Sequence, residues 1–510
     1  MNVLALPVLL PLLGGSVLLL VRRSAARRAV ATAVSTATLL ASLVIALRTF
    51  QGTVLSVQMA AWAAPFGITL VADGLAGLLL LASNVLALLT VVFAGSSLQH
   101  APVRGGSALL NRARDAFGAQ ALLQFLFMGV NMSFLTGDLF NLFVAFEVML
   151  VASYGLLLLG GELPQLREGF KYVVINVVAS AVFVITAGMT YGLVGSLNLA
   201  DIAQRVAAHG PDPRLTVLAA LLALVFATKA AVFPLGFWLP NSYPVPPAAI
   251  SAFFAAVLTK VGVYALVRTF TLMFPGEQLL PAVLLALGGV SMVVGALGAI
   301  ARRRWRHAMA FANVASIGYL VAGVFIGTHA GMTAALYYLV NSVAVIFVLF
   351  LVAGLAERVG GAGYRKHGHL GLYPWLGAGY FAAALALTGL PPTSGFIGKF
   401  GLVRALLAAG GGLRVAVATA AVVTGLLLLY AATRIWREFF WGEADAVHRV
   451  EIPRVMSGVT VVATVLLLSL AAFAGPLYGL CGTVASQLDG NAAYRAAVLV
   501  PDAPPREGAH

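Results

Sequence analysis

Residues 224–240 read LVFATKAAVFPLGFWLP, an apolar run with a lysine, Lys229, in its interior and a proline, Pro234, five residues later. A charge at the centre of a membrane helix costs on the order of 2.5–3.5 kcal/mol. Pro234 cannot donate a hydrogen bond to the carbonyl of Ala230, and its ring crowds the preceding helical turn. Two such costs within two helical turns indicate a membrane segment whose lysine and helix break serve a function.

The whole chain is apolar in the same way. Of its 510 residues, 61% are hydrophobic and 9% are charged. A soluble domain needs a polar surface, whereas a lipid bilayer solvates apolar side chains directly. The composition therefore excludes a soluble protein of this size and predicts an all-α polytopic membrane protein. Because loop arginines account for the formal charge of +14, we expect membrane lipids and no nucleic acid as partners. The single cysteine, Cys481, excludes an internal disulfide and a cysteine-based metal site.

Apolar windows of about 18–25 residues predict fourteen transmembrane helices. Twenty basic residues fall in the loops after odd-numbered spans and six in the loops after even-numbered spans. This difference places the odd loops in the cytoplasm and both termini on the outer side of the cell membrane. The predicted spans are residues 3–21, 29–48, 71–95, 117–135, 138–160, 171–195, 214–239, 247–273, 279–301, 305–327, 330–356, 373–405, 413–438 and 455–480.

A second stretch, LALTGLPPTSGFIGKFGLVRA at residues 385–405, is a broken helix with Pro391, Pro392 and Gly395 at its break and Lys399 beyond it. The two broken helices, the seventh and the twelfth, are five spans apart and therefore run in opposite directions. That arrangement is expected of two inverted five-helix repeats whose broken helices meet at an ion site. We predict N-terminal helices in residues 1–116, the first repeat in 117–273, the second in 274–438, a loop and the last helix in 439–485, and a disordered tail in 486–510.

Four ionisable residues lie deep in apolar segments: Glu147, Lys229, Lys260 and Lys399. Only five of the 31 basic residues are lysines, yet the three deepest are all lysines. Lysine can lose its proton when it is desolvated, whereas arginine stays charged. The set therefore predicts a proton relay, with Glu147 as the counter-ion of Lys229. A static salt bridge between these two residues, and lysines that only snorkel, are the structural alternatives.

The two helix breaks are expected to act differently on their lysines. Lys229 precedes its break, near the electronegative C-terminal end of a half-helix, which favours the ammonium. Lys399 follows its break, with Ser394 as a candidate cap, and the electropositive end of the new helix favours the neutral amine. Lys260 lies in a span without a break. A secondary polar path is expected from Asp138, near an interface, and from Tyr337, Tyr338 and Asn341 in the eleventh span.

Four stretches together resemble the D subunit of the Mrp-type multisubunit Na+/H+ antiporters, a family related to the antiporter-like membrane subunits of respiratory complex I. By this resemblance, the four buried ionisable residues match the family's charges in helices 5, 7, 8 and 12, which carry protons along a hydrated mid-membrane path. The resemblance implies partner subunits, protons and Na+ or another monovalent cation as substrates, and no cofactor or metal. The stretches are WAAPFGITLVADGLAGLLL (62–80), FLTGDLFNLFVAFEVMLVASYGLLLLGG (134–161), ATKAAVFPLGFWLPNSYPVPPAAISAFFAAVLTKVGVYALVRTFTL (227–272) and LTGLPPTSGFIGKF (387–400).

The chain departs from the family in its eleventh helix. Many members have two histidines and often a lysine there, where this chain has Asn341, Ser342 and Ile346. A side-chain relay from Lys260 to Lys399 would therefore need water to bridge part of the distance. Two alternatives differ from an antiporter component: the equivalent proton-pumping subunit of a complex I-like oxidoreductase or membrane-bound hydrogenase, and a scaffold without a transport role. The chain carries no redox motif, so we predict a secondary transporter component rather than an enzyme.

Overall fold

The computed structural model describes residues 3–98, 118–361, 363, 368–442 and 450–499. They form a helical bundle with one small antiparallel hairpin, in which β1 (Leu55–Gln58) pairs with β2 (Thr69–Ala72). The helices are α1 (Leu6–Leu20), α2 (Ser24–Phe50), α3 (Gly74–Ser97), α4 (Ala119–Leu135), α5 (Leu139–Leu158), α6 (Leu163–Val194), α7 (Leu199–His209), α8 (Pro213–Ala230), α9 (Leu239–Ser242), α10 (Ala248–Met273), α11 (Leu279–Ala301), α12 (Trp305–Val324), α13 (His329–Gly360), α14 (Pro374–Thr388), α15 (Ser394–Ala409), α16 (Gly412–Ile435), α17 (Arg454–Ala472), α18 (Ala474–Leu488) and α19 (Ala492–Val498).

The polytopic helical architecture predicted from the sequence is confirmed. Within the described residues, twelve helical segments are long and apolar enough to cross a membrane. The fourth and twelfth predicted spans correspond to shorter helices, namely α4 and the pair α14 and α15. The number of crossings, the inverted repeats and the domain limits stay predictions, and the limit at residues 116–117 lies outside the described residues.

The centre of the bundle is formed by α10, α12 and α13. The most apolar window of α10 is buried along its whole length, that of α12 is 89% buried and that of α13 is 83% buried. At most 39% of the corresponding windows of α1, α2 and α17 is buried, as expected for helices at the bundle surface. The central helices carry Lys260, Asn313 and the polar residues of the eleventh predicted span, so these groups lie in the interior of the bundle.

The seventh predicted span ends at its break instead of continuing to residue 239. Helix α8 stops at Ala230, and Ala231 adopts a left-handed conformation with φ of 59°. The indole Nε1 of Trp238 donates a hydrogen bond to the terminal carbonyl of Thr228 at 3.2 Å. Pro234 then lies in the loop before the short helix α9. The left-handed Ala231 and the Trp238 side chain complete the end of α8, so the helix does not continue. The segment after the break contains only the single turn α9 and no second half-helix.

The second break separates α14 from α15. Helix α14 ends at Thr388, followed by Gly389 in the left-handed region with φ of 84°. Thr393, not the expected Ser394, caps α15, because its hydroxyl accepts a hydrogen bond from the Phe396 N–H at 3.4 Å. The start of α15 packs directly on the end of α14, since a Cβ at Gly395 would overlap a carbonyl oxygen of α14. This contact requires glycine.

The C-terminal region predicted to be disordered from residue 486 is ordered as far as the structure describes it. Helix α18 continues to Leu488, and α19 buries Tyr494 and Val498. The Ser56 hydroxyl of the hairpin donates to the carbonyl of Ala497 at 2.6 Å. The prediction was wrong because polar composition concealed two apolar side chains that pack on the bundle. Residues 500–510 of the predicted tail lie outside the described residues.

Candidate functional site

Lys229 lies in the last turn of α8 and is 4% exposed. Its Nζ donates to the Ser180 hydroxyl at 2.9 Å and to the carbonyl of Asn176 at 3.2 Å, both on α6. The ring of Phe146 on α5 lies 5.8 Å from the same nitrogen. The ammonium is therefore held by neutral oxygens and an aromatic face in an otherwise apolar environment.

Glu147 is not the direct partner of Lys229 that the sequence suggested. The acceptors of Lys229 Nζ among the described residues are Ser180 and Asn176 and not Glu147, and Glu147 Oε1 is buried without a hydrogen-bond partner. The neighbouring Phe146, rather than Glu147, faces the ammonium. The prediction of a direct pair was wrong because α6 supplies two oxygen acceptors to Lys229. Which acceptors reach the lysine depends on how the helices pack, and local sequence does not show this. Glu147 itself remains partly exposed.

Lys260 is fully buried in α10 and is held by a neighbouring helix. Its Nζ donates to Asn313 Oδ1 on α12 at 3.1 Å and to the carbonyl of Ala255 at 3.2 Å. Asn313 Nδ2 donates to the same carbonyl at 2.9 Å, which fixes the amide orientation. A π-helical turn over Phe254–Leu258 interrupts the regular hydrogen bonding beside this group. The eighth span is thus continuous but not regular, and its distortion lies next to its lysine.

Helices α8 and α10 approach each other closely beside both lysines. A Cβ at Gly262 would lie 2.5 Å from the backbone nitrogen of Ala230, so only glycine permits this backbone contact. Gly262 is two residues from Lys260, and Ala230 adjoins Lys229. The glycine therefore brings the two lysine-bearing segments into one layer of the bundle.

Lys399 reaches back across the second helix break. It is 7% exposed, and its Nζ donates to the carbonyls of Leu387 at 2.6 Å and Thr388 at 3.3 Å. These are C-terminal carbonyls of α14, which carry partial negative charge and favour a cation. The Nζ therefore lies at the C-terminal end of α14 and not at the positive end of α15 that the sequence suggested, while the preference for the neutral amine stays a prediction. The side chain is long enough to leave its own helix and cap the preceding one.

A row of polar side chains connects the surroundings of Lys260 with those of Lys399. We call the row Asn313, Ser316, Tyr319 and Tyr338 the polar ladder. Asn313 contacts Lys260, and the Ser316 hydroxyl lies 3.3 Å from that of Tyr338 on α13. The Tyr338 ring lies 5.4 Å from that of Tyr319, which in turn faces Lys399 Nζ at 4.3 Å.

The spacing of polar residues in α12 could have predicted this ladder from the sequence. Asn313, Ser316 and Tyr319 recur every three residues in an otherwise apolar helix, a spacing that places them along one side of α12. All three are buried. Asn313 contacts Lys260 and Tyr319 faces Lys399, so these residues occupy the interval between the two lysines.

The residues predicted for a secondary path divide into two groups. Tyr338 belongs to the polar ladder, and Asn341 Oδ1 accepts a hydrogen bond from the Ser394 hydroxyl at 2.8 Å, at the start of α15. Tyr337 instead donates to the carbonyl of Leu470 on α17 at 3.1 Å. Asp138 caps α5 by accepting from the Asn141 N–H at 2.7 Å and is not among the acceptors of the three buried lysines.

A buried ion pair was missed at the sequence level. The Arg268 guanidinium in α10 binds both carboxylate oxygens of Asp73, the N-cap of α3, and both side chains are at most 2% exposed. Arg268 also stacks on Tyr494 of α19, with its Cζ 4.9 Å from the ring centroid. The count of basic residues assigned this arginine to the loop after the eighth span, because it lies near the end of that span, residues 247–273. The pair ties α3, α10 and the C-terminal helix together.

Comparisons with known proteins identify the family. A family model described as NADH:quinone oxidoreductase/Mrp antiporter, TM matches residues 136–425, a range that contains all three buried lysines. The chain belongs to this family. The D subunit of the Na(+)/H(+) antiporter of Alkalihalophilus pseudofirmus is 39% identical to it over 448 residues, and that of Bacillus subtilis is 37% identical over 446 residues. Each alignment covers 87% of this chain and 87% of the relative.

Solved structures share the fold of this Mrp antiporter-family chain. A chain of the Mrp complex from Dietzia sp. DQ12-45-1b is similar with a TM-score of 0.90 and 29% identity, covering 98% of this chain and 100% of that one. A chain of respiratory complex I from Thermus thermophilus has a TM-score of 0.79 and 25% identity, covering 96% and 100%. The resemblance to the antiporter D subunits is confirmed, and the chain is a transporter component rather than an enzyme.

Proposed function

We propose that this chain is the proton-translocating subunit of a multisubunit Na+/H+ antiporter in the cell membrane, with both termini on the outer side. One observation supports the proposal most: Lys229, Lys260 and Lys399 are all buried, and the polar ladder lies between Lys260 and Lys399. The antiporter names of its relatives support Na+ or another monovalent cation as the second ion. Its partners are then the other subunits of the complex and the surrounding lipids.

Protons pass in this proposal between lysines that are each held by neutral oxygens. Lys229 and Lys260 lie next to the close contact between α8 and α10. From Lys260, the carbonyl of Asn313 orients water, and the hydroxyls of Ser316 and Tyr338 donate and accept protons along the ladder. An amide cannot itself take up the proton at neutral pH, so water completes this part of the path.

The path ends in a cleft at Lys399. A cavity of about 300 Å³ lies between α15 and α16 and is lined by Lys399, Tyr319 and Gly389 among others. Phe400 and Leu426 at its rim are exposed in the single chain. A proton released by Lys399 into this cleft would leave the protein laterally. That geometry fits a chain that works beside other subunits.

Glu147 acts on the first lysine at a distance in this scheme. Its Oε1 is buried without a partner, and the preceding residue, Phe146, faces the ammonium of Lys229. A charge in a poorly polarisable interior acts over several ångströms without direct contact. Changing the charge of Glu147 therefore biases whether Lys229 keeps or releases its proton.

Reconstitution of the complex in vesicles tests the proposal. Cation-dependent dequenching of a pH-sensitive dye should fall to background in Lys229→Ala, Lys260→Ala and Lys399→Ala. The matched control is Lys171→Ala, because Lys171 is a half-exposed lysine that only contacts Glu168 at 3.0 Å. Full transport by Lys229→Ala and Lys399→Ala would refute the relay. Full transport by Glu147→Ala alone would remove that residue's assigned role, and full transport by all four variants would favour a scaffold.

A second function is supported by the similarity to respiratory complex I. The chain would then pump protons within a complex I-like oxidoreductase or a membrane-bound hydrogenase. The two functions differ in their driving reaction. Cation-driven proton movement without an electron donor supports the antiporter, whereas a strict requirement for an electron donor, with redox subunits that co-purify, supports the alternative.

A further inference from the structure

A groove on the arginine-rich face of the bundle is not used by the proposed proton path. Its volume is about 740 Å³, and it lies between the start of α2, the end of α3 and the start of α17. Its walls are built mainly from small or branched apolar residues. The charged side chains that line it are Arg28 and Arg454.

Arg28 presents an unsatisfied cation to this groove. It is the fifth residue of α2, and its Nη1 is buried without a hydrogen-bond partner. Its aliphatic stem packs against Gly95, where a Cβ would lie 3.0 Å from Arg28 Cδ. Gln120 lies beside the same glycine, and both of its buried amide atoms also lack partners. Because buried polar groups are normally hydrogen-bonded, the unpartnered Nη1 makes Arg28 a free donor on the wall of the groove.

The start of α17 adds positive potential at the same place. Arg454 is the first residue of this helix, and Pro453 before it is the N-cap. The first N–H groups of a helix have no intrahelical acceptor, and the helix dipole makes this end electropositive. Two arginines and a helix N-terminus around one groove therefore match an anion with several acceptor oxygens, such as a phosphate.

The apolar walls determine which phosphate fits. Ala29 and Ala33 of α2 and Val91 of α3 continue the groove from the arginines along the helices into the bundle. A free phosphate ion would leave these walls uncovered. The exposed Arg22 and Arg23 immediately precede α2, where the arginine-rich loops predict the membrane–water interface. A ligand with an anionic head and an apolar chain matches both the arginines and the apolar walls of the groove.

We propose that this groove binds an anionic phospholipid from the leaflet on the arginine-rich face. The phosphate takes the unpartnered Arg28 Nη1, the Arg454 guanidinium and the first N–H groups of α17. An acyl chain lies against the alanines of α2 and the valine of α3. The inference uses the membrane-spanning architecture and does not depend on the relay.

Native mass spectrometry of the full chain with its co-purifying subunits tests this assignment. Phosphatidylglycerol, phosphatidylcholine and inorganic phosphate are titrated separately. We expect at least tenfold preferential binding of phosphatidylglycerol over phosphatidylcholine, and at least a tenfold loss in the double variant Arg28→Gln with Arg454→Gln. The matched control, Arg22→Gln with Arg23→Gln, removes two arginines from the same face outside the groove and should change binding less than twofold.

A second variant keeps the test decisive if the double arginine variant fails to fold. Ala29→Phe keeps both arginines, fills an exposed groove position and should reduce phosphatidylglycerol binding by a similar factor. Equal loss in the Arg22 and Arg23 control would overturn a specific site. Binding of inorganic phosphate as tight as that of phosphatidylglycerol would replace the lipid by a free anion. A polypeptide segment of another subunit seated in the groove of the assembled complex would also overturn the assignment.

Discussion

The matched pair Tyr338→Phe and Tyr337→Phe tests the polar ladder most sharply. The two tyrosines are adjacent on α13, both are buried, and each hydroxyl makes one hydrogen bond. The Tyr338 hydroxyl contacts Ser316 in the ladder at 3.3 Å, whereas the Tyr337 hydroxyl donates to the carbonyl of Leu470 at 3.1 Å, away from the lysines. Each variant removes one hydroxyl and keeps the aromatic ring.

The expected magnitudes follow from these single bonds. A neutral intramolecular hydrogen bond contributes about 0.5–1.5 kcal/mol. Both variants should therefore lose a similar, small amount of unfolding free energy. Only Tyr338→Phe removes a proton donor and acceptor from the path. If that energy appears in the barrier to proton transfer, transport slows about two- to tenfold.

The assay compares initial rates of cation-dependent dequenching in vesicles, normalised to the amount of assembled complex, with thermal unfolding measured on the same samples. Tyr338→Phe should be slow and Tyr337→Phe should match the wild type. Adding Ser316→Ala to Tyr338→Phe should slow transport little further, because both changes remove the same link. Wild-type rates in Tyr338→Phe, or equal slowing in Tyr337→Phe, would refute the ladder as the connection between Lys260 and Lys399.

Three further substitutions test other parts of the structure. Lys399→Arg keeps the charge but cannot release a proton, so transport should fall to background in the vesicle assay while thermal stability is retained. Gly395→Ala forces a Cβ onto a carbonyl of α14 and should lower both the unfolding temperature and transport, whereas Gly412→Ala meets open space and should change neither. Asp73→Ala leaves Arg268 buried without its counter-ion and should cost about 3–5 kcal/mol of unfolding free energy, measured by denaturant titration.

Each of these expectations has a clear opposing outcome. Transport by Lys399→Arg would mean that this residue acts as a fixed charge. An unchanged unfolding temperature in Gly395→Ala would mean that the second break adjusts without cost. Retention of stability in Asp73→Ala, to the level of the exposed control Asp489→Ala, would mean that Tyr494 and neighbouring groups compensate the guanidinium.

The sequence revealed the groups that are costly in a membrane but not their partners. Lys229, Lys260 and Lys399 were recognisable because charge in an apolar run is conspicuous, and proline and glycine located both breaks. The acceptors of the ammonium groups depend on how helices distant in sequence pack together. Local reasoning therefore assigned Glu147 to Lys229 and the wrong helix end to Lys399. Arg268 was missed because hydropathy does not distinguish a buried ion pair from a residue at an interface.

The lack of a direct carboxylate partner bears on how the lysines can work. When one partner of a buried ion pair loses its charge, the other remains uncompensated, at a cost of about 3–5 kcal/mol. A lysine paired with a carboxylate would therefore resist deprotonation. In this chain Lys229, Lys260 and Lys399 donate instead to hydroxyl, amide and carbonyl oxygens.

Neutral oxygens stabilise an ammonium through hydrogen bonds, yet they tolerate its loss because no net charge remains behind. Each of the three sites can thus hold a proton transiently without being trapped in one charge state. A charge at Glu147, near Lys229 but out of contact, then shifts the balance of the first site by a modest amount instead of locking it. On this reasoning, moving a carboxylate into contact should slow transport: Ser180→Asp, beside Lys229 Nζ at 2.9 Å, should reduce the rate more than Ser180→Ala. A faster rate in Ser180→Asp would contradict it.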